Sequence, residues 1–189
     1  MPIVFLSPST QDWNPYVTGS GSEEYWMNLL ADTLEPYLYA NTISFVRNTP
    51  EMTAASSIAQ AKSLGGFDFY LALHSNASGE GQAGKNRGII VFYYPTSSDG
   101  KRAAELFAAQ LRMVYPLPAK VTTQATTTLG EVRRPRYPAN LIELGYHDNY
   151  DDARWIENNL DAAAQAIARR LTEYFGCLLY TSPSPRDGA

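Results

Sequence analysis

The segment from Phe67 to Leu73 constrains the fold more than any other. FDFYLAL carries one polar side chain, Asp68, and is otherwise apolar. A strand wetted on one face alternates polar with apolar residues; a strand covered on both faces does not. This run therefore reads as the central strand of a sheet that needs helices above and below it.

The rest of the chain supplies those layers. Pro2–Leu6 is a first apolar strand closed by Ser7-Pro8-Ser9, and Gln11 to Ser22 is a loop over its carboxyl end. Met27, Leu30, Leu34 and Tyr37 recur with helical spacing. Ser20 and Glu23 form a capping box before that helix, and Pro36 should kink or end it, because proline removes a backbone donor and clashes with the preceding turn. Thr42–Val46 alternates into a second strand, and Ala54–Leu64 is a helix stopped by Gly65-Gly66. Gly88–Tyr94 is a strand, Asp99–Tyr115 an amphipathic helix, and Ala139–Gly145 a last core strand. A closing helix capped by Asp151 or Asp152 runs to Gly176. The order β-α-β-α-β-β-α-β-α predicts one α/β domain over residues 1–176, with a mostly parallel twisted sheet of about five to six strands and helices on both faces. No internal repeat interrupts it.

Residues 177–189, CLLYTSPSPRDGA, lose all periodicity and carry the single cysteine. They read as a disordered tail foreign to the domain. One cysteine excludes an intrachain disulfide framework and a cysteine-rich zinc finger. A net charge of −4 gives no basic footprint for nucleic acid or anionic lipid. No run approaches the ~20 apolar residues of a membrane span. Met1–Pro8 lacks the basic and apolar regions of a leader. A soluble monomer without a signal peptide is the expectation, with its location left open.

Both histidines lie where strands should end, in the phrases LALHSN (71–76) and LGYHDN (144–149). Chemistry in open α/β sheets collects outside the carboxyl ends of buried strands. A lone histidine after a strand, as His74 is when taken alone, is more often a hydrogen-bonded structural residue. Glu143 interrupts the apolar run of the last strand, so its carboxylate must be paired, bound to a cation, or set at the mouth of a site. A salt bridge to Arg47, Arg133 or Arg134 is the competing explanation. Glu23 and Glu24 open the first helix, where acids complement the dipole; with Glu23 engaged as a cap, Glu24 is the freer to face a ligand.

These pieces resemble a family. Glu24-Tyr25-Trp26-Met27-Asn28, Arg47, Leu73-His74-Ser75-Asn76, and Glu143-Leu144-Gly145-Tyr146 followed by Asn149 and Asp152-Ala153 occur in the order and context of zinc-dependent N-acetylmuramoyl-L-alanine amidases. The resemblance runs from Pro2 to Gly176. It implies Zn²⁺ held by Glu24 and His74, polarising the lactyl amide carbonyl of peptidoglycan and lowering the pKa of a bound water toward ~7. It implies Glu143 as the base that passes the water's proton to the departing L-alanine amine. Arg133, Arg134 and Asn76 become substrate-positioning candidates.

One departure stands out. The family's first histidine ligand, just after strand one, falls on Thr10 here, in Leu6-Ser7-Pro8-Ser9-Thr10-Gln11. A hydroxyl or amide is a poor zinc ligand beside imidazole and carboxylate. His147, four residues after Glu143, is the candidate third ligand, its alternative being a loop histidine that caps the next helix. Gln11 or Thr10 could hold the zinc water or the substrate. Two other functions compete: a degenerate amidase-like domain that binds peptidoglycan without cutting it, and a flavodoxin-like small-ligand domain. The glycine run Gly79–Gly84 joins two strands, not a strand to a helix, which argues against a phosphate loop.

Overall fold

A computed structural model describes residues 1–177. Residues 178–189, nearly all of the expected tail, lie outside the described residues. The elements run β1 (Ile3–Pro8), α1 (Glu23–Ala40), β2 (Ser44–Arg47), α2 (Ala54–Leu64), β3 (Phe69–Asn76), β4 (Ile89–Tyr93), α3 (Ser98–Leu111), β5 (Val121–Ala125), α4 (Gly130–Arg133), β6 (Ala139–Tyr146), α5 (Tyr150–Asn158) and α6 (Leu160–Tyr174). The six strands form one sheet in the order β2-β1-β3-β6-β4-β5. β1, β2, β3 and β6 are mutually parallel, whereas β4 runs antiparallel to β6 and carries β5 alongside it in parallel. The expected mostly parallel sheet is present, and β3 is central as its composition demands.

Each face of the sheet buries its own apolar cluster. On one side α1, α3 and α6 cover Leu6, Leu71, Leu73, Ile142 and Leu144; on the other, α2 and α4 cover Phe5, Tyr70, Ala72 and Leu141. Alternation along β3 places His74 on the second face with Tyr70 and Ala72, and Glu143 follows Leu141 onto that face in β6. β1 leads outward to β2 on one side while β3 lies on its other side. The topological switch point thus falls between β1 and β3, at the ends of both strands.

Several local expectations are corrected. α1 starts at Glu23 with Ser22 as its cap, whose hydroxyl accepts from the Tyr25 N–H. Ser20 is not the cap, so Glu23 is released from capping. The helix also continues through Pro36 to Ala40, because Leu34 and Leu38 on either side of the proline are fully buried. That packing outweighs the ~3 kcal/mol a helix-interior proline costs. β5 and α4 went unpredicted: VTTQA is a largely exposed edge strand, and GEVR is one helical turn. The closing helix is two helices broken at Asn159, and Asn149, not Asp151 or Asp152, caps the first.

Asp152 is instead fully buried. Its carboxylate accepts from the Arg87 guanidinium, the Tyr115 hydroxyl and the N–H groups of Gly88 and Tyr146. Gly145, at φ +146°, lets β6 pass within contact of this carboxylate, where a Cβ would lie 3.4 Å from Asp152 Oδ2. Replacing Asp152 by alanine leaves three donors without their acceptor and takes from the partly exposed Arg87 one of its two carboxylates, so we expect a loss of about 1–3 kcal/mol in urea unfolding. An unchanged midpoint would contradict this role.

Candidate active site

His74 is the sixth residue of β3, not the residue after it, and its imidazole is engaged at both nitrogens. Nδ1 lies 2.9 Å from Glu23 Oε1, and Nε2 lies 2.7 Å from Glu131 Oε2. Glu23 comes from the first turn of α1 and Glu131 from α4; both are nearly inaccessible to solvent. The Asn14 amide donates to the other Glu23 oxygen at 2.8 Å. The Ser7 and Tyr70 hydroxyls donate to Glu131 Oε1 at 2.6 and 2.7 Å.

Glu143 is the register partner of His74 across the β3–β6 pair, with Ile90 of β4 on its far side. Its Oε2 is sealed from solvent and has no hydrogen-bond partner. The arginine explanation for this carboxylate does not hold. Arg47 is bound to Asp32, Glu35 and Asn28, and Arg133 and Arg134 are exposed. Three carboxylates therefore surround one imidazole. Among the described residues, no lysine or arginine bonds to any of the three.

The protonation pattern follows from this imbalance. Burial alone would lower the His74 pKa, but its hydrogen bonds to Glu131 and Glu23 and the surrounding negative charge hold it well above 6.5. Burial works against ionisation of Glu23 too, and the His74 and Asn14 contacts overcome it, leaving this carboxyl below its ordinary value. Glu143 receives no such hydrogen bonds. Burial pushes it up, the charge of His74 only partly opposes that, and Glu23 and Glu131 add repulsion, bringing it to about 7.

A cleft of about 150 Å³ opens beside His74 and Glu131, walled by Ser7, Ser9, Gln11 and Asn48. Trp13 stands at its rim, 68% exposed. Gln11, expected near the metal water or substrate, is at the site: its Nε2 lies 3.5 Å from His74 Nδ1. Thr10 also lines this cleft. Asn76 ends β3 with its side-chain oxygen turned back to the Ala77 N–H.

Other expected members are elsewhere. Glu24 is half-buried, and it is its neighbour Glu23 that reaches His74. The displaced cap explains the difference: with Ser22 ahead of the helix, Glu23 occupies the first helical position and points toward the strand ends. His147 lies apart from the cluster. Its Nδ1 is 3.0 Å from both the Ser75 carbonyl and hydroxyl, its ring stacks on Tyr16, and its N–H and C=O bond Asn76 and Val17. It fastens the loop after β1 to the ends of β3 and β6. Arg133 lines a different cavity, with Tyr94, Arg136 and Tyr137 near the amino end of β6, and Arg134 is exposed outside the His74 cleft. Glu131 and Trp13 were missed. Glu131 sits in a single-turn helix with no periodic signal, and Trp13 in a loop that the apolar pattern cannot place.

Among the described residues, no three histidine, cysteine or acidic side chains are gathered around one point as for a metal ion. The trio His74, Glu24 and His147 is therefore not assembled. The chemistry of the residues present nevertheless suits a divalent cation. Glu23 Oε1 and His74 Nδ1 are spaced as two donors on one ion, and three carboxyl groups are gathered around the one imidazole.

Glu143 makes stability pH-dependent with a definite sign. Its folded pKa lies above the ordinary value of 4.5, so its contribution is intact below that value and is lost as pH rises through about 7. In metal-free protein, Glu143→Gln should therefore unfold at a higher temperature than the parent above pH 7, and the advantage should vanish toward pH 4.5. Parallel melting profiles across that range would contradict the assignment.

The family pattern described as N-acetylmuramoyl-L-alanine amidase matches residues 9–173. No curated protein matches the chain in sequence. Among solved structures, the fold is similar to N-acetylmuramoyl-L-alanine amidase AmiC2 of Nostoc punctiforme, at 17% identity and a TM-score of 0.78, covering 93% of this chain and 97% of that one. It is also similar to the N-acetylmuramoyl-L-alanine amidase of Clostridium difficile 630, at 19% identity and 0.78, over 93% and 97% of the two chains. The CwlD amidase of Clostridioides difficile, solved in complex with the GerS lipoprotein, gives 14% identity and 0.79, over 93% and 99%.

Proposed function

Because the chain belongs to the N-acetylmuramoyl-L-alanine amidase family, we propose that its His74 cluster hydrolyses the amide between N-acetylmuramic acid and L-alanine in peptidoglycan, with Zn²⁺ as cofactor. The observation that carries this reading is Glu143: a carboxylate raised to about 7, with one sealed and unpartnered oxygen, one strand away from His74. A general base works best when its pKa lies near the working pH. Glu143 takes the proton of the attacking water and returns it to the nitrogen of L-alanine as the amide breaks.

Glu23 and His74 are the residues that would hold the ion, which supplies Lewis acidity toward the amide carbonyl. Asn14 fixes the Glu23 carboxylate by bonding its second oxygen, and Gln11 presents an amide beside His74 Nδ1. Trp13 offers an exposed indole at the cleft rim, suited to stacking against a sugar ring or peptide. The helices of the described residues include none long and apolar enough to cross a membrane.

The test is to incubate the protein with purified peptidoglycan and identify the released fragments by mass spectrometry. Soluble peptides with a free L-alanine amino terminus are expected, with about one zinc per chain retained. Glu143→Gln should lower turnover by about 10²–10⁴-fold while metal stays bound. His147→Ala should leave about one zinc bound per chain, because His147 fastens the loop and does not hold the ion. Absence of L-alanyl peptides from folded, zinc-supplemented protein would overturn the reading. Trp13→Ala should raise KM roughly tenfold with kcat little changed, consistent with an aromatic contact of about 1–1.5 kcal/mol; a fall in kcat alone would place Trp13 in the chemistry instead.

A further inference from the structure

We propose that the cavity between α4 and the start of α3 is a second binding site, which takes the terminal carboxylate of a short apolar peptide on Arg133 and Arg136. It stands on geometry separate from the His74 cleft, and so goes beyond the amidase reading without depending on it.

Three arginines within four residues set this surface apart. Elsewhere Arg47, Arg87, Arg154 and Arg170 are ion-paired, Arg102 lies over the Tyr174 ring, and Arg112 donates to the Val121 carbonyl. Arg133, Arg134 and Arg136 are exposed and bond to nothing among the described residues, a freedom shared only by the isolated Arg169 on α6. Asp99, in the first turn of α3, is exposed and pairs with none of them. In a chain of net charge −4, this cluster is uncompensated positive charge. Arg134 lies back along Gly130, whereas Arg133 and Arg136 line a cavity of about 260 Å³, larger than the His74 cleft.

The cavity is held rigidly. Pro135 and Pro138 fix φ on either side of Arg136, so little backbone freedom remains to be lost on binding. The half-buried rings of Tyr94 and Tyr137 form apolar walls, and Tyr137 packs edge-on against Phe67. Ser97 caps α3 by accepting from the Gly100 N–H at 3.0 Å, which leaves its own hydrogen to donate into the cavity. Gly100 lets α3 approach β6, since a Cβ there would lie 3.3 Å from the Ala139 carbonyl. The Asn140 amide ties β4 to α3 by donating to the Phe92 and Gly100 carbonyls. Ala139 pairs with Tyr70, four residues before His74, which sets the cavity roughly 13 Å along the strands from the imidazole. α4 stands between them, sending Glu131 to His74 and Arg133 to the cavity. Guanidinium forks match a carboxylate, and the tyrosine and proline walls suit a small apolar side chain beside it. A peptide's carboxyl end has both, whereas inorganic phosphate has only the charge.

The experiment is a titration of the ¹⁵N-labelled full chain, followed by ¹H–¹⁵N correlation spectra, with N-acetyl-alanyl-alanine, its carboxyl-terminal amide and inorganic phosphate. The dipeptide acid should shift the amide signals of Tyr94, Ser97, Arg136 and Tyr137 saturably, and the uncharged amide should bind about tenfold more weakly or worse. Arg133→Ala and Arg136→Ala should each weaken binding about tenfold. Arg134→Ala removes the same charge outside the cavity and should change it less than about twofold. No saturable shift at these residues, equal binding of the amide, or equal losses in Arg134→Ala and Arg136→Ala overturns the site. Phosphate bound as tightly as the dipeptide overturns its assignment to a peptide end. Shifts confined to Gln11, Trp13 and His74 put the dipeptide in the other cleft and overturn it as well. Should a variant fail to fold, the comparison of acid with amide on the parent chain decides alone. None of these results alters the release of L-alanyl peptides, so the two readings fail separately.

Discussion

The surplus of negative charge around one buried imidazole is the constraint on which this site depends. Glu23 and Glu131 each hold a nitrogen of His74, and Glu143 stands on the next strand with an oxygen that nothing satisfies. Desolvated carboxylates repel one another, and among the described residues the His74 imidazole is the basic group bonded to them. The protein resolves this unevenly. The carboxylates hold His74 well above its ordinary pKa, the imidazole and Asn14 contacts hold Glu23 below its own, and burial pushes Glu143 up to about 7. The same imbalance that costs stability gives Glu143 the proton affinity that its proposed role as base requires.

The fold brings these groups together through its sheet order. β1 and β3 flank the switch point, so Ser7 and the loop after β1 face His74 across the crevice. β6 beside β3 sets Glu143 next to His74 in register, and antiparallel β4 closes the far side with Ile90. α1 and α4 then deliver one carboxylate each from opposite directions. His147 and Tyr16 serve this arrangement from outside, tying the loop that carries Gln11 and Asn14 to the strand ends.

Much of this was legible in the residues. The apolar run at Phe67–Leu73 and the amphipathic helices predict the layered sheet, because burial on two faces leaves a direct trace in composition. A carboxylate inside the apolar run of β6 points to Glu143 for the same reason. What sequence reasoning missed depends on half-turns and single turns. A cap shifted from Ser20 to Ser22 exchanges Glu24 for Glu23 at the site, since adjacent helical residues point about 100° apart. Glu131 lies in a four-residue helix too short to show a period, and its partner is 57 residues away in the chain. His147 drew notice by its resemblance to His74 in phrase, yet it follows a strand that ends one pleat later and turns the ring toward Ser75.

The central claim is that this buried cluster is built around a cation held by His74 and Glu23. Diffraction from zinc-soaked crystals, recorded on either side of the zinc absorption edge, tests it directly. The account predicts one anomalous peak within ~2.0–2.2 Å of a His74 ring nitrogen and of a Glu23 oxygen. A peak at His147, or none at the His74 cluster in crystals whose protein cleaves peptidoglycan, would contradict it.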